Sequence, residues 1–276
     1  MSQAGLISRL NELPRLQKVL QELLDMVNQD DVDFGQLSKK IAMDQVLSAR
    51  LLRMANSAHF GGSKTVSSVN EALLRVGTGP VRTLVVASVL SSSFPKVPTL
   101  NLEDYWTDTF EVSVIASKLA EEINLDGNEV FTAGILHNIG ELMIHTLTPE
   151  QAQEIVAKVQ AGADPIDAQE EVLDVSAPAL GAQLAKTWKF PDKMVDAIAH
   201  FHDPRDAELS PKMAVLLHFA RAIHEKWDSF TSDDEKLVYI AQHPDSRILH
   251  IPGNFASTID KFRGNGKDLA AQLTAA

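Results

Sequence analysis

At 276 residues and 30.2 kDa the chain is long enough for one large domain or two interlocked lobes, with a core that needs no covalent or metal staple. It contains no cysteine, which excludes a disulfide framework, Cys-ligated zinc, an iron–sulfur cluster and a thiol nucleophile. With 45% hydrophobic and 22% charged residues it has the composition of an ordinary globule, and its net charge of -12 opposes non-specific binding to nucleic acid.

The first residues, MSQAGLISRLNELPRL, hold no apolar stretch of signal-peptide length, and no membrane-spanning apolar run follows, so a cytoplasmic protein without membrane contact is expected. The spacing of apolar residues predicts helices over 15–29 and 34–43, the second behind a capping box of Asp33 with Gln36. In a helix over 45–57, Leu47, Leu51, Met54 and Ala58 fall on one stripe, and Ser68 with Glu71 opens the next, over 69–76. Gly77 reads as a helix stop and Pro80 as the start of an apolar helix over 80–91. The segment from Ser92 to Leu100 carries two prolines and no helical pattern, and marks a boundary between lobes.

Beyond it, helices are expected over 102–123, 128–137, 140–147, 149–160, 165–173, 177–188, 191–201, 211–227 and 233–241, with Pro149, Pro165 and Pro211 at first-turn positions. Thr148 with Gln151 has the spacing of a third capping box. After about residue 242 the periodicity fades. The fold class is therefore all-α, in two helical lobes: an N-terminal lobe over 1–95, a second over 96–230, and a C-terminal helical extension over 231–276. Leu47, Leu51, Met54, Leu73, Leu84, Val85, Leu119, Ile135, Leu136, Leu184, Trp188, Ile198 and Leu217 are the expected core.

Charge is distributed unevenly. Residues 38–82 carry a net +5, whereas residues 103–174 hold sixteen acids and two bases, Lys118 and Lys158. The basic stretch is expected to meet acidic surface of this chain or of a partner.

Two clusters have the chemistry of a site. In Ile135-Leu136-His137-Asn138-Ile139-Gly140 a polar pair ends an apolar helix, and Gly140 allows a sharp turn into the next. A histidine followed by a carboxylate would suit a divalent hydrolytic metal, but the second residue is Asn138, whose amide oxygen carries no charge. In His200-Phe201-His202-Asp203-Pro204 the two histidines lie about 200° apart if helical, so one ion could take both only if the helix ends between them. The other histidines show no recognisable ligand spacing, and no GxSxG or P-loop motif occurs.

Several stretches together resemble HDOD domains, the HD-related output domains of bacterial signalling proteins. They are DQVLSARLLRMANSAHF (Asp44 to Phe60), with Asn56-Ser57-Ala58 as its most specific part, then Val69 to Gly77, Trp106, VFTAGILHNIG (Val130 to Gly140), GAQLAKTWKFP (Gly181 to Pro191) and AIAHFHDP (Ala197 to Pro204). The resemblance spans roughly residues 10–225 and implies an HD-like helical fold. It also implies a site descended from metal phosphohydrolases with an early His, a His-Asp pair, later histidines and a final Asp. Here the early position is held by Asp108 or Thr109, the pair is His137 with Asn138, Phe201 replaces a histidine beside His202, and Arg221 stands near the final Asp. A guanidinium has no acceptor and opposes a cation.

The expected function is therefore a non-catalytic regulatory module acting through protein partners in a signalling pathway, with no catalytic residues, no cofactor and no nucleic-acid partner. Asn56 and Ser57 are expected to be structural. The alternative is a metal-dependent phosphohydrolase acting on a nucleotide or other phosphoester, for which His137 and His202 are weak metal candidates. A third reading gives the degenerate pocket a small anionic ligand.

Overall fold

The computed structural model describes residues 18–27, 32–56, 64–94 and 97–274. Among these every regular element is helical, and they fall into two compact units that meet in sequence at residues 95 and 96. No single helix among the described residues is long and apolar enough to cross a membrane.

The first unit contains α1 (Lys18–Val27), α2 (Phe34–Ile41), α3 (Gln45–Ala55), α4 (Val69–Val76) and α5 (Thr78–Ser93). Polar side chains open the short helices by accepting backbone N–H groups that the helix leaves unpaired: Asp33 from Gln36 at 2.9 Å, Asp44 from Leu47 at 2.9 Å and Ser68 from Glu71 at 3.2 Å. The apolar α5 is buried along Val81, Val85, Val86, Val89 and Leu90, and α1, α3 and α4 pack against it. It begins at Thr78, ahead of Pro80, once Gly77 at a φ of 83° has ended α4.

Met54 is only half-buried: the stripe facing the core runs Leu47, Leu51, Ala55 and leaves Met54 at its edge. Ala58 lies outside the described residues. Much of the basic stretch serves this unit internally. Arg82 Nε donates to the Val27 carbonyl at the end of α1 (2.6 Å), Arg75 to the Lys64 carbonyl (2.9 Å), and Lys40 pairs with Glu22.

The second unit is organised around the long helix α6 (Leu102–Glu122), whose Trp106, Phe110, Ile115 and Leu119 are buried. It continues through α7 (Gly127–Leu136), α8 (Ile139–Leu147), α9 (Pro149–Gln160), α10 (Pro165–Leu173), α11 (Ala177–Thr187), α12 (Asp192–His200) and α13 (Pro211–Lys226). Helices α7 and α13 pack on α6, α8 packs on α11, and α12 lies between α11 and α13.

The prolines at 149, 165 and 211 each occupy a first helical turn, where no N–H is needed. Thr148 does not cap α9. Its hydroxyl instead donates back to the Ile144 carbonyl at 2.9 Å. Trp188 is half-buried because it is the C-cap of α11, beyond that helix's last buried turn.

Four more helices follow within the same unit: α14 (Asp233–Gln242), α15 (Pro244–Leu249), α16 (Ala256–Phe262) and the start of α17 (Asn265–Thr274). Helices of 6 and 7 residues are too short to show a period, which is why the text after residue 242 reads as irregular. A buried Glu111 on α6 anchors the start of α17, its Oε1 accepting from Gly266 N at 3.1 Å and Lys267 N at 3.4 Å.

Candidate functional site

Asn56 closes α3 and uses both ends of its amide. Its Nδ2 donates to the Leu52 carbonyl at 2.9 Å and to the Val66 carbonyl at 2.8 Å, while its Oδ1 accepts from Val66 N at 2.8 Å. An amide is the side chain that can answer an N–H and a C=O of one residue together, so Asn56 clips the end of α3 to Val66. Ser57 lies outside the described residues.

In the second unit the His137-Asn138 pair is delivered by two close backbone approaches. A Cβ on Gly134 would come within 2.8 Å of Ser113 on α6, and one on Gly140 within 1.9 Å of the Ala177 carbonyl at the start of α11. Gly140 is thus the second residue of α8, chosen for proximity to α11; no sharp turn occurs at it.

The pair lands on two residues one turn apart on α6. Tyr105 Oη donates to Asn138 Oδ1 at 2.9 Å, Asn138 Nδ2 donates to Thr109 Oγ1 at 2.8 Å, and the Thr109 hydroxyl donates to the Tyr105 carbonyl at 2.7 Å. Of the two candidates for the early position, Thr109 is therefore the one that meets the pair. Asp108 turns outward, largely exposed, and stands 3.1 Å from His224 Nε2 on α13.

His137 has 1% of its surface exposed. Its Nδ1 lies 2.5 Å from the Gly134 carbonyl, a contact only an N–H can satisfy, so Nε2 is the unprotonated nitrogen, and it is buried without a hydrogen-bond partner. Burial first, then the charge of Arg221, push this imidazole down to about 3. His202, just past the end of α12, is held down to about 4 by desolvation and then by Arg221 and His218, although its ring keeps an exposed edge. The rings of His137 and Phe201 lie edge to face at 5.2 Å, and those of Phe201 and His202 are 4.3 Å apart. His200 turns away to Asp196, 3.2 Å distant, so the helix end does separate the two histidines without pairing them.

These residues do not fit a divalent metal. Among the described residues no group of three or more His, Asp or Glu side chains could hold one. The amide of Asn138 is already engaged by Tyr105 and Thr109, and Arg221 places a fixed positive charge close enough to act on both His137 and His202. Glu141 is the nearby carboxyl that Arg221 also feels. It is pushed up by burial, against the opposing pull of Gln169 and Arg221, and its Oε1 accepts from Gln169 Nε2 at 2.6 Å. Gln169 in turn accepts from Ala177 N at 2.7 Å, which ties the acid to the α11 start that Gly140 touches.

Sequence spacing missed Tyr105, which shares a face with Thr109 at i, i+4, and His218, whose partner Asp245 is 27 residues away. His218 Nδ1 lies 2.6 Å from Asp245 Oδ2, and the carboxylate is buried.

Comparison with known proteins agrees with this architecture. Residues 13–204 match the HDOD domain family. A proposed phosphohydrolase from Shewanella amazonensis SB2B is 39% identical, aligned over 98% of each chain with a TM-score of 0.86. An HDOD domain protein of unknown function from Geobacter sulfurreducens shares the fold at 21% identity, with 98% of this chain and 97% of that one aligned and a TM-score of 0.77. An uncharacterized protein of Treponema pallidum (strain Nichols) is 26% identical over 206 residues, which are 72% of this chain and 39% of that protein, so the chain spans well under half of that relative's length. The chain belongs to the HDOD domain family.

Proposed function

We propose that this protein is a non-catalytic regulatory module that works through contacts with protein partners in a signalling pathway. The observation that carries the reading is the fate of the His-Asp position: Asn138 stands there, and its amide is spent on Tyr105 and Thr109 instead of facing a cation. A hydrolytic metal must be anchored firmly enough to acidify its water, which takes several His and carboxylate ligands in one shell. Here the neighbouring charge is a guanidinium. A proposed signal-transduction protein from Marinobacter aquaeolei VT8, 20% identical and aligned over 98% of this chain and 64% of its own length, has the same fold with a TM-score of 0.77.

The name of the Shewanella relative favours a second reading, a metal-dependent phosphohydrolase acting on a nucleotide or other phosphoester. Hydrolysis assays on nucleotides and cyclic dinucleotides with added Mn²⁺, Mg²⁺ or Fe²⁺ separate the two. The expected result is no turnover above the protein-free blank. Turnover that His137→Ala abolishes would establish the enzyme reading instead.

A further inference from the structure

The chain holds a single Asn-Gly pair, Asn265-Gly266, and it opens α17. Such a pair is labile, because the amide nitrogen of a residue without Cβ can reach the side-chain carbonyl of the asparagine before it. Asn265 is exposed, whereas Gly266 is buried against α6. A Cβ on Gly266 would lie 2.3 Å from Glu111 N, so glycine is what lets the two backbones meet. Close packing has thus placed a reactive dipeptide at the helix start.

The docked geometry protects it. Glu111 is 4% exposed, and the two N–H groups its Oε1 accepts are those of Gly266 and Lys267, so the would-be nucleophile points at α6. The helical ψ of Asn265 also keeps that nitrogen away from Cγ, and the wedged Gly266 has no room to turn.

Docking itself is weakly held. Gly264, at a φ of 88° and with open space around it, lies between the end of α16 and the start of α17 and forms a hinge. Among the described side chains of α17, Asn265, Lys267 and Ala271 are exposed, Leu269 is half-buried, and only Ala270 is buried. Glu111 Oε2 is buried and, among the described residues, has no hydrogen-bond partner. Lifting α17 lets water reach both carboxylate oxygens and both freed N–H groups. Little apolar area and a half-satisfied carboxylate place this opening among the easier local ones.

We propose that Asn265 is a deamidation site gated by the docking of α17 on Glu111, and that its isoaspartyl product keeps α17 off α6. Once α17 lifts, Gly266 N gives up its proton and bonds to Asn265 Cγ, the Cγ–Nδ2 bond breaks, and ammonia leaves with a proton in place of the one lost. Water then opens the succinimide at either carbonyl. Opening at Cγ restores the main chain with an aspartate at position 265, which can dock again. Opening at the main-chain carbonyl gives isoaspartate, whose Cβ now lies in the main chain. That extra carbon destroys the register that brings two successive N–H groups to one oxygen of Glu111.

The test uses the full chain, incubated at neutral pH and followed by peptide mass mapping with isoaspartate detection, with Asn124, which precedes Leu125, as internal control. The rate follows the fraction of time α17 is lifted. Conversion of Asn265 is expected to be slow in the wild type and about ten-fold or more faster in Glu111→Ala, approaching the rate of chain unfolded in urea. Hydrogen exchange of the separated products should show lost protection over residues 266–271 in the isoaspartyl form and retained protection in the aspartyl form. In the wild type, urea below the global transition should already speed conversion, which carries the test if Glu111→Ala loses its fold. Equal or slower conversion in a folded Glu111→Ala, conversion that follows global unfolding alone, or an isoaspartyl form with wild-type protection would each overturn the proposal.

Discussion

If the remnant of the HD site is a neutral hydrogen-bond knot, removing its centre should expose the dependence of each member on the others. Asn138→Ala takes away the acceptor of Tyr105 Oη, and Tyr105 is 7% exposed, so water cannot readily replace it. An orphaned buried phenol costs roughly 1–3 kcal/mol. Thr109 loses the donation from Asn138 Nδ2 but keeps the Tyr105 carbonyl at 2.7 Å, which adds only about 1 kcal/mol. The single variant should therefore lose about 2–4 kcal/mol, and Tyr105→Phe alone about 1 kcal/mol. In the double variant the phenol that would have been stranded is gone, so the combined loss should fall short of the sum by about 1 kcal/mol or more. Urea denaturation of the four proteins measures this coupling, with Mn²⁺ added in a parallel set. Additive losses, or a midpoint that rises with metal only when Asn138 is present, would refute the knot.

Other substitutions probe the frame around it. Gly140→Ala should be severely destabilising, by about 3 kcal/mol or more, because the new Cβ would lie 1.9 Å from the Ala177 carbonyl and one helix must move; thermal melts within 1 °C of wild type would contradict the close approach. Asn56→Ala should cost about 1–3 kcal/mol by unpairing both backbone groups of the buried Val66, and an unchanged denaturant midpoint would count against that clip. His137 sits at about 3 when folded and near the ordinary 6.5 when unfolded, so the unfolded chain binds the extra proton between these values. Its contribution is complete above pH 6.5 and is lost as pH falls through that window, at about 1.4 kcal/mol per pH unit. Midpoints at pH 7, 6 and 5 should fall less steeply in His137→Gln, and equal slopes would show that His137 is not buried as a neutral ring.

Helix positions were largely legible because caps and prolines punctuate the chain: Asp33, Ser68, Pro149, Pro165 and Pro211 all stand at helix starts, as their residue types require. Thr148 has the same spacing signature, but its hydroxyl finds the Ile144 carbonyl first, a competition that depends on φ and ψ and not on spacing. The site was legible only in part. His137 and His202 both feel the charge of Arg221 and Asn138 meets Thr109, whereas Asp108 turns outward to His224, because one residue along α6 is a 100° rotation and Thr109 takes the inward place. His218 and Asp245 come together only through the packing of α15 on α13, which no local pattern encodes.

If the HD-type position has become a hydrogen-bonded element with no metal role, the purified protein should retain no stoichiometric metal. Untagged protein, purified without chelator and dialysed into metal-free buffer, is analysed for Mn, Fe, Zn, Mg and Ni by elemental analysis. Far less than one equivalent of any of them is expected, since Asn138 is engaged by Tyr105 and Thr109 and Arg221 opposes a cation. One equivalent or more retained by the wild type and lost in His137→Ala would contradict it.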